Sequence, residues 1–203
     1  MNILFIDTET TGLDSKSNSL IEIAAAYYVN GQRKTFFDEK CFDQNAVVDM
    51  NALKINGKSI PDIRGFKSEE EGLRHFANFL VGLNSKEPLV ICGHNVHFDV
   101  EFLKTRLAKY NIVGWDSAVS YRHLDTCVLS RFLLATGLLP VELGSKGSSL
   151  KGLADALKID TSDTKLHTAL GDVELTAKVY FKLEGLFRAL NTEFGKLLYG
   201  ENQ

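Results

Sequence analysis

Two carboxylates two residues apart, Asp7 and Glu9, stand at the end of the apolar run Asn2-Ile3-Leu4-Phe5-Ile6, and Thr10-Thr11-Gly12 follows at once. Side chains alternate across an extended segment, so both acids point to the same side and can converge on one divalent cation. Carboxylate oxygens suit Mg²⁺ or Mn²⁺ rather than zinc. The same residues also suit a plain strand-to-turn junction, in which Asp7 caps a turn and Gly12 supplies a special backbone angle without any metal. Two downstream groups shift the balance toward a metal. Gly93-His94-Asn95-Val96-His97-Phe98-Asp99 follows the apolar run Leu89-Val90-Ile91-Cys92, and His167-Thr168-Ala169-Leu170-Gly171-Asp172 opens a long amphipathic segment.

The elements that must carry these residues read as an α/β sheet with the motifs at strand ends. Asn2 to Asp7 is a buried strand; Leu20 to Val29 and Lys34 to Phe42 are two more, joined at the hairpin signal Asn30-Gly31. Leu73, Phe76, Leu80 and Leu83 recur at helical spacing, Leu89 to Cys92 is a short strand, and Val100, Leu103, Leu107 and Tyr110 mark another helix. Asp99 falls in the first turn of that helix. Asp172 falls in the first turn of the helix carrying Val173, Thr176, Tyr180, Leu183, Phe187 and Leu190. Both positions favour an anion through the backbone dipoles, which also offers a purely structural reason for the two acids. Asn56-Gly57, Pro61 and Gly65 make the stretch from Asp43 to Ser68 a connection with one short helix. Leu138 to Ser149 is a second flexible stretch; its Lys146 is a candidate phosphate contact, or simply a solvated loop lysine.

Taken in order, Asp7-x-Glu9-Thr-Thr-Gly, His94-Asn-x-x-Phe98-Asp99 and His167-x-Ala-x-x-Asp172 resemble the three motifs of the DEDDh (DnaQ-like) 3′-to-5′ exonucleases. Leu124-Asp125-Thr126 is similar to that family's internal Asp-Thr strand end, and Ser149-Leu150-Lys151-Gly152-Leu153-Ala154 to the segment before its last motif. The resemblance implies a ribonuclease-H-like fold, a central mixed five-stranded sheet flanked by helices. It implies that Asp7, Glu9, Asp99 and Asp172 bind two divalent ions, Mg²⁺ or Mn²⁺, with Asp7 bridging both. Glu9 and Asp172 would complete the site of the ion that activates water, and Asp99 would help position the other, in part through waters. His167 would be the general base, on a mobile loop; no tyrosine lies between it and Asp172 to replace it. Imidazole titrates near neutrality, which suits that role. The resemblance further implies that the backbone of Thr10, Thr11 and Gly12 meets the terminal nucleotide, that Leu13 is an apolar wedge beside the last base, and that Phe98 packs on sugar or base. Core packing is the competing explanation for Leu13 and Phe98. His94 and His97 lie outside the ligand positions and are read as structural or as partners behind the ligands, while His75 and His123 receive no role.

The expected activity is trimming of single-stranded or frayed DNA 3′ ends to nucleoside 5′-monophosphates with little base preference, in proofreading or repair. DNA is favoured over RNA. An RNA-directed 3′-to-5′ exonuclease or oligoribonuclease would use the same acids, and a catalytically silent polymerase-associated module is the alternative of another class. A polymerase, if involved, is a separate protein.

With 203 residues and 44% apolar residues the chain can bury one sizeable core. We expect one exonuclease domain over 1–190 and a C-terminal tail over 191–203. A net charge of −3 is unlike a simple nucleic-acid binder. Bound dications reconcile the two, because they turn a phosphate-repelling acidic cluster into a phosphate receptor. Cys41, Cys92 and Cys127 sit at no metal-ligand spacing and read as reduced core thiols. The opening apolar run is too short for a signal peptide and no stretch is long enough to span a bilayer, so a cytoplasmic protein is expected.

Overall fold

The computed structural model describes residues 2–138, 149–162, 164 and 167–199, with 190–199 as backbone only. Lys146 lies outside the described residues. Three strands form an antiparallel meander: β1 (Asn2–Thr10), β2 (Leu20–Val29) and β3 (Gln32–Phe42). The turn between β2 and β3 places Asn30 and Gly31 at φ 50° and 78°, the left-handed pair that matches hairpin twist and that Asn-Gly tolerates. β5 (Val90–Gly93) pairs parallel with β1, and β6 (Leu124–Asp125) pairs parallel with β5.

Among the described residues the expected sheet of five strands is corrected to six by a strand β4 at Lys67–Ser68, in the order β4-β3-β2-β1-β5-β6. The extra strand is two residues laid parallel against Cys41 and Phe42. So short a ladder has no side-chain period to read. The connection before it holds two short helices rather than one, α1 (Met50–Ile55) and α2 (Ile60–Arg64). Each starts on a side-chain cap: Asp49 accepts from the Asn51 N–H, and Ser59 and Asp62 form a reciprocal capping box with Pro61 in the first turn.

The alternation of β1 divides the core. Leu4 and Ile6 face α3 (Glu69–Gly82) and α4 (Val96–Lys109), packing with Phe76, Val100 and Leu103. Ile3 and Phe5 face the other way, onto Ala169, Val173, Ala177 and Tyr180 of α8 (Ala169–Tyr199). The small side chains Ala24 and Ala26 of β2 lie under that helix and let it sit close to the sheet. Phe5 meets Tyr28, Tyr180 and Phe181 at centroid distances of 5.1, 5.6 and 5.7 Å. α8 runs to Tyr199, past the position where the tail was expected to begin. Between β5 and β6 lies the short α5 (Trp115–Ala118). α6 (Thr126–Ala135) and α7 (Leu150–Ala156) pack through Leu133, Leu153 and Ala154 on Leu175, Val179 and Leu183 of α8. All three cysteines are buried and none of them forms a disulfide. Among the described residues no helix is long and apolar enough to cross a membrane.

Candidate active site

By the alternation that divides the core, Asp7 and Glu9 point to the side of the sheet that α8 covers. The first turn of α8 delivers Asp172 there, and carboxylate oxygens of Asp7, Glu9 and Asp172 all lie within 4.8 Å of one another. A register shift between Glu9 and Thr10 makes Ile21 of β2 the extra residue of a bulge beside the acids. Asp99 arrives from the opposite face on α4. It is outside that close group, and its Oδ1 accepts from both the N–H and the hydroxyl of Thr8 at 2.8 Å.

Asp125 sets where α4 begins. Its carboxylate accepts from the N–H groups of Asn95 and Val96 at 3.0 Å and from those of Cys127 and Val128 at 2.8 and 3.3 Å, so one side chain caps the starts of α4 and α6. His94 Nδ1 lies 2.9 Å from the Thr126 hydroxyl, which donates to the Gly93 carbonyl, a structural placement. His97 differs from its structural reading: its side chain is 87% exposed, beside Glu101 one turn along.

Clustering and burial raise every acid of the group. Burial first, then the charges of Asp99, Asp172, Glu9 and Glu22, hold the Asp7 carboxyl well above the usual carboxylate range. Burial followed by Asp172 pushes Glu9 up to about 7, against an opposing pull from Lys58. Burial brings Asp99 to about 7 although the Thr8 hydrogen bonds favour its ionised form. Asp172 is also raised by burial, while the charge and backbone hydrogen bond of His167 draw it down. Carboxyls crowded in this way cannot all ionise unless a cation joins them. An all-oxygen donor set of converging acids fits a hard divalent ion.

His167 is exposed, two residues ahead of Ala169, with φ at 62°. That is a left-handed conformation few non-glycine residues hold. Thr168 begins the helix, its carbonyl accepting from Asp172 N–H at 3.0 Å and its hydroxyl from Gly171 N–H at 3.2 Å.

The expected substrate residues divide. The hydroxyls of Thr10 and Thr11 are committed to the Gly12 and Val47 carbonyls at 2.6 and 2.8 Å, so their side chains shape the turn. A Cβ on Gly12 would meet the Asn18 side-chain oxygen at 2.5 Å and displace a side chain that bonds the Asp14 N–H and the Val47 carbonyl. Leu13 is 86% exposed, so core packing does not account for it. Phe98 is half-buried, against Phe102 and the α3–α4 core. Two residues near the acids escaped the sequence reading: Glu22, directly across from Glu9 in the ladder, and Lys58. The signal for Glu22 was a lone charge inside the apolar run Leu20 to Ala26.

A mixed sheet whose central strand ends in clustered carboxylates, flanked by helices on both faces, is a ribonuclease-H-like nuclease architecture, and the chain belongs to the RNase T exonuclease family, whose model matches residues 4–180. Among its relatives is the DNA polymerase III subunit epsilon of Haemophilus influenzae, 28% identical over 90% of this chain and 67% of that protein. A DNA polymerase III subunit epsilon-like protein of Rhodobacter capsulatus is 29% identical over 98% of this chain, which spans only 26% of that longer protein. Among solved structures, Escherichia coli Exonuclease I in complex with a dT13 oligonucleotide shares the fold, with a TM-score of 0.74 at 20% identity, covering 96% of this chain and 44% of that one.

Proposed function

We propose that this chain is a metal-dependent 3′-to-5′ exonuclease that removes nucleoside 5′-monophosphates from single-stranded or frayed DNA. The observation that carries the reading is the convergence of Asp7, Glu9 and Asp172, with Asp99 reaching the same strand end from the other face. In this reading the four acids hold two ions, Mg²⁺ or Mn²⁺, and His167 flanks them on the exposed side. Bound dications would neutralise charge at the scissile phosphate and make the attacking water more acidic. The chain's own residues do the rest. Thr8 fixes the Asp99 carboxylate, and the turn Thr10–Leu13 offers backbone groups and one exposed apolar side chain to a terminal nucleotide. The His167 imidazole takes the proton of the attacking water. The names of the epsilon relatives support a separate DNA polymerase as partner.

The test is purified protein with 5′-labelled single-stranded DNA and RNA in Mg²⁺, Mn²⁺ or EDTA, beside Asp7→Ala. A metal-dependent ladder on DNA, absent in the variant, is the expected result. A ladder on RNA alone would reverse the substrate, and no ladder on either polymer would overturn the reading.

A further inference from the structure

Glu22 presents a problem of charge. It is 2% exposed, stands opposite Glu9 in the β1–β2 ladder, and adds a fifth acid beside four that already crowd one another. Like charges directly opposite across a sheet are destabilising, so this side chain must be held by something else.

Both of its oxygens have partners of their own. Oε2 accepts from the Ala169 N–H at 3.1 Å, at the start of α8 where free amides need acceptors. Oε1 lies 3.0 Å from the Lys58 ammonium and 3.5 Å from that of Lys40. The two lysines differ: Lys40 is 55% exposed, whereas Lys58 is 10% exposed. Lys58 lies in the link between α1 and α2, two residues after Asn56, whose side-chain amide donates to the Thr10 carbonyl at 2.9 Å. A continuous path therefore runs from the turn beside Glu9 through Asn56 and Lys58 to Glu22 and Ala169. Ala169 stands two residues after His167 and three before Asp172.

We propose that Glu22 and Lys58 are a pair of positioning residues: Glu22 anchors the first turn of α8, and with it His167 and Asp172, while Lys58 commits the Glu22 charge so that it stays outside the metal-holding set. The proposal rests on the exonuclease reading for its effect on turnover, but not for its effect on cation binding. Partners behind metal ligands commonly govern activity by 10–100-fold, through orientation rather than contact with the reacting atoms.

The consequences have opposite signs for the two residues. Lys58→Met removes a cation that also pulls on Glu9 and leaves the Glu22 charge with only the exposed Lys40, so Mn²⁺ should bind roughly fivefold tighter, while turnover falls about 10–100-fold because the α8 anchor is loosened. Glu22→Gln keeps an acceptor for Ala169 but leaves Lys58 uncompensated, so Mn²⁺ should bind roughly fivefold more weakly, again with lower turnover. In Glu22→Gln/Lys58→Met the two charges cancel and Mn²⁺ affinity should return to within about twofold of the native value.

Calorimetric titration of the full chain with Mn²⁺, beside kcat and KM on a labelled single-stranded oligonucleotide and a thermal melt in EDTA, tests this. Lys58→Gln, which keeps a donor to Glu22, serves if Lys58→Met does not fold, and should show the same direction of change. Tighter binding with slower turnover in the Lys58 variant supports the pair, because general structural damage weakens both. Shifts of Mn²⁺ affinity in the same direction for Glu22→Gln and Lys58→Met would overturn it. So would turnover within threefold of native in Lys58→Met, or loss of one bound Mn²⁺ in Glu22→Gln, which would make Glu22 a ligand itself. If the native chain binds Mn²⁺ but shortens no nucleic acid, the exonuclease reading falls while the opposed affinity shifts still decide the pair.

Discussion

Replacing Glu9 by Gln should stabilise the metal-free protein while destroying its activity. In the fold the Glu9 carboxyl is pushed from its ordinary 4.5 to about 7, by burial first and by Asp172 next. An acid whose folded pKa is raised binds its proton more tightly when folded, so it adds no penalty below about pH 4.5. The penalty grows as pH rises from about 4.5 to about 7 and is complete above that. At about 1.4 kcal/mol for each pKa unit, Glu9 alone would cost the metal-free fold about 3 kcal/mol at pH 8. Because the neighbouring acids readjust their own protons, about 2 kcal/mol is the better expectation for the substitution. For a chain of this size that is roughly 4–8 °C in melting temperature. Thermal melts of both proteins in EDTA at pH 5 and pH 8, repeated in Mg²⁺, provide the assay. The native protein should lose stability between the two pH values in EDTA, and the variant should lose less and melt higher at pH 8. Mg²⁺ should stabilise the native protein more than the variant, whose turnover should fall by more than roughly a hundredfold, the upper end for losing only a partner of a metal ligand. A variant that melts lower than native at pH 8 in EDTA would refute the crowding on which the metal reading stands.

His167→Ala should lower kcat by about 10²–10⁴-fold with the melting temperature and Mn²⁺ affinity unchanged, as kinetics beside calorimetry would show. Leu13→Ala should leave the melting temperature within about 1 °C, since an exposed side chain carries little stability, yet raise KM for single-stranded DNA roughly fivefold if it lies against a base. Asp125→Ala removes the acceptor of four backbone amides and should cost about 2–3 kcal/mol in urea unfolding; kcat should fall as well, because α4 carries Asp99. Arg106 is buried between Glu69 and Asp43, 2.5 and 2.8 Å away, so Arg106→Met leaves the buried Glu69 without a cation while Asp43 keeps Lys109, and should cost about 3–5 kcal/mol by the same measurement.

What the sequence disclosed follows from the range of the forces involved. Asp7 and Glu9 are two residues apart on one strand, so alternation alone puts them on one face. The hairpin at Asn30-Gly31 is equally local, because its backbone angles belong to those two residues. Asp99 and Asp172 were reachable only through the order of the motifs, since their meeting with β1 depends on helices packing on opposite faces of the sheet. β4 could not be read at all: two residues of ladder leave no pattern, and their partner Cys41–Phe42 lies far back in the chain. The buried node of Arg106, Glu69, Asp43 and Tyr110 was equally silent, because its members come from three separate segments and its charged members are each alone of an ordinary surface residue type.

Glu22 marks the limit of such reading and also explains it. A charge within an apolar strand is a local anomaly visible in the sequence, but its meaning depends on register: one residue of slip would turn it to the other face of the sheet. The structure sets it opposite Glu9, beside a bulge, with a largely covered lysine brought from the connection between two helices of six and five residues. None of these choices improves the stability of the sheet, and several work against it. Local rules broken together at one strand end are what a site selected for chemistry rather than for folding would leave. The like-charge pair Glu9–Glu22 makes sense when one member faces a cation and the other is committed to Lys58 and Ala169.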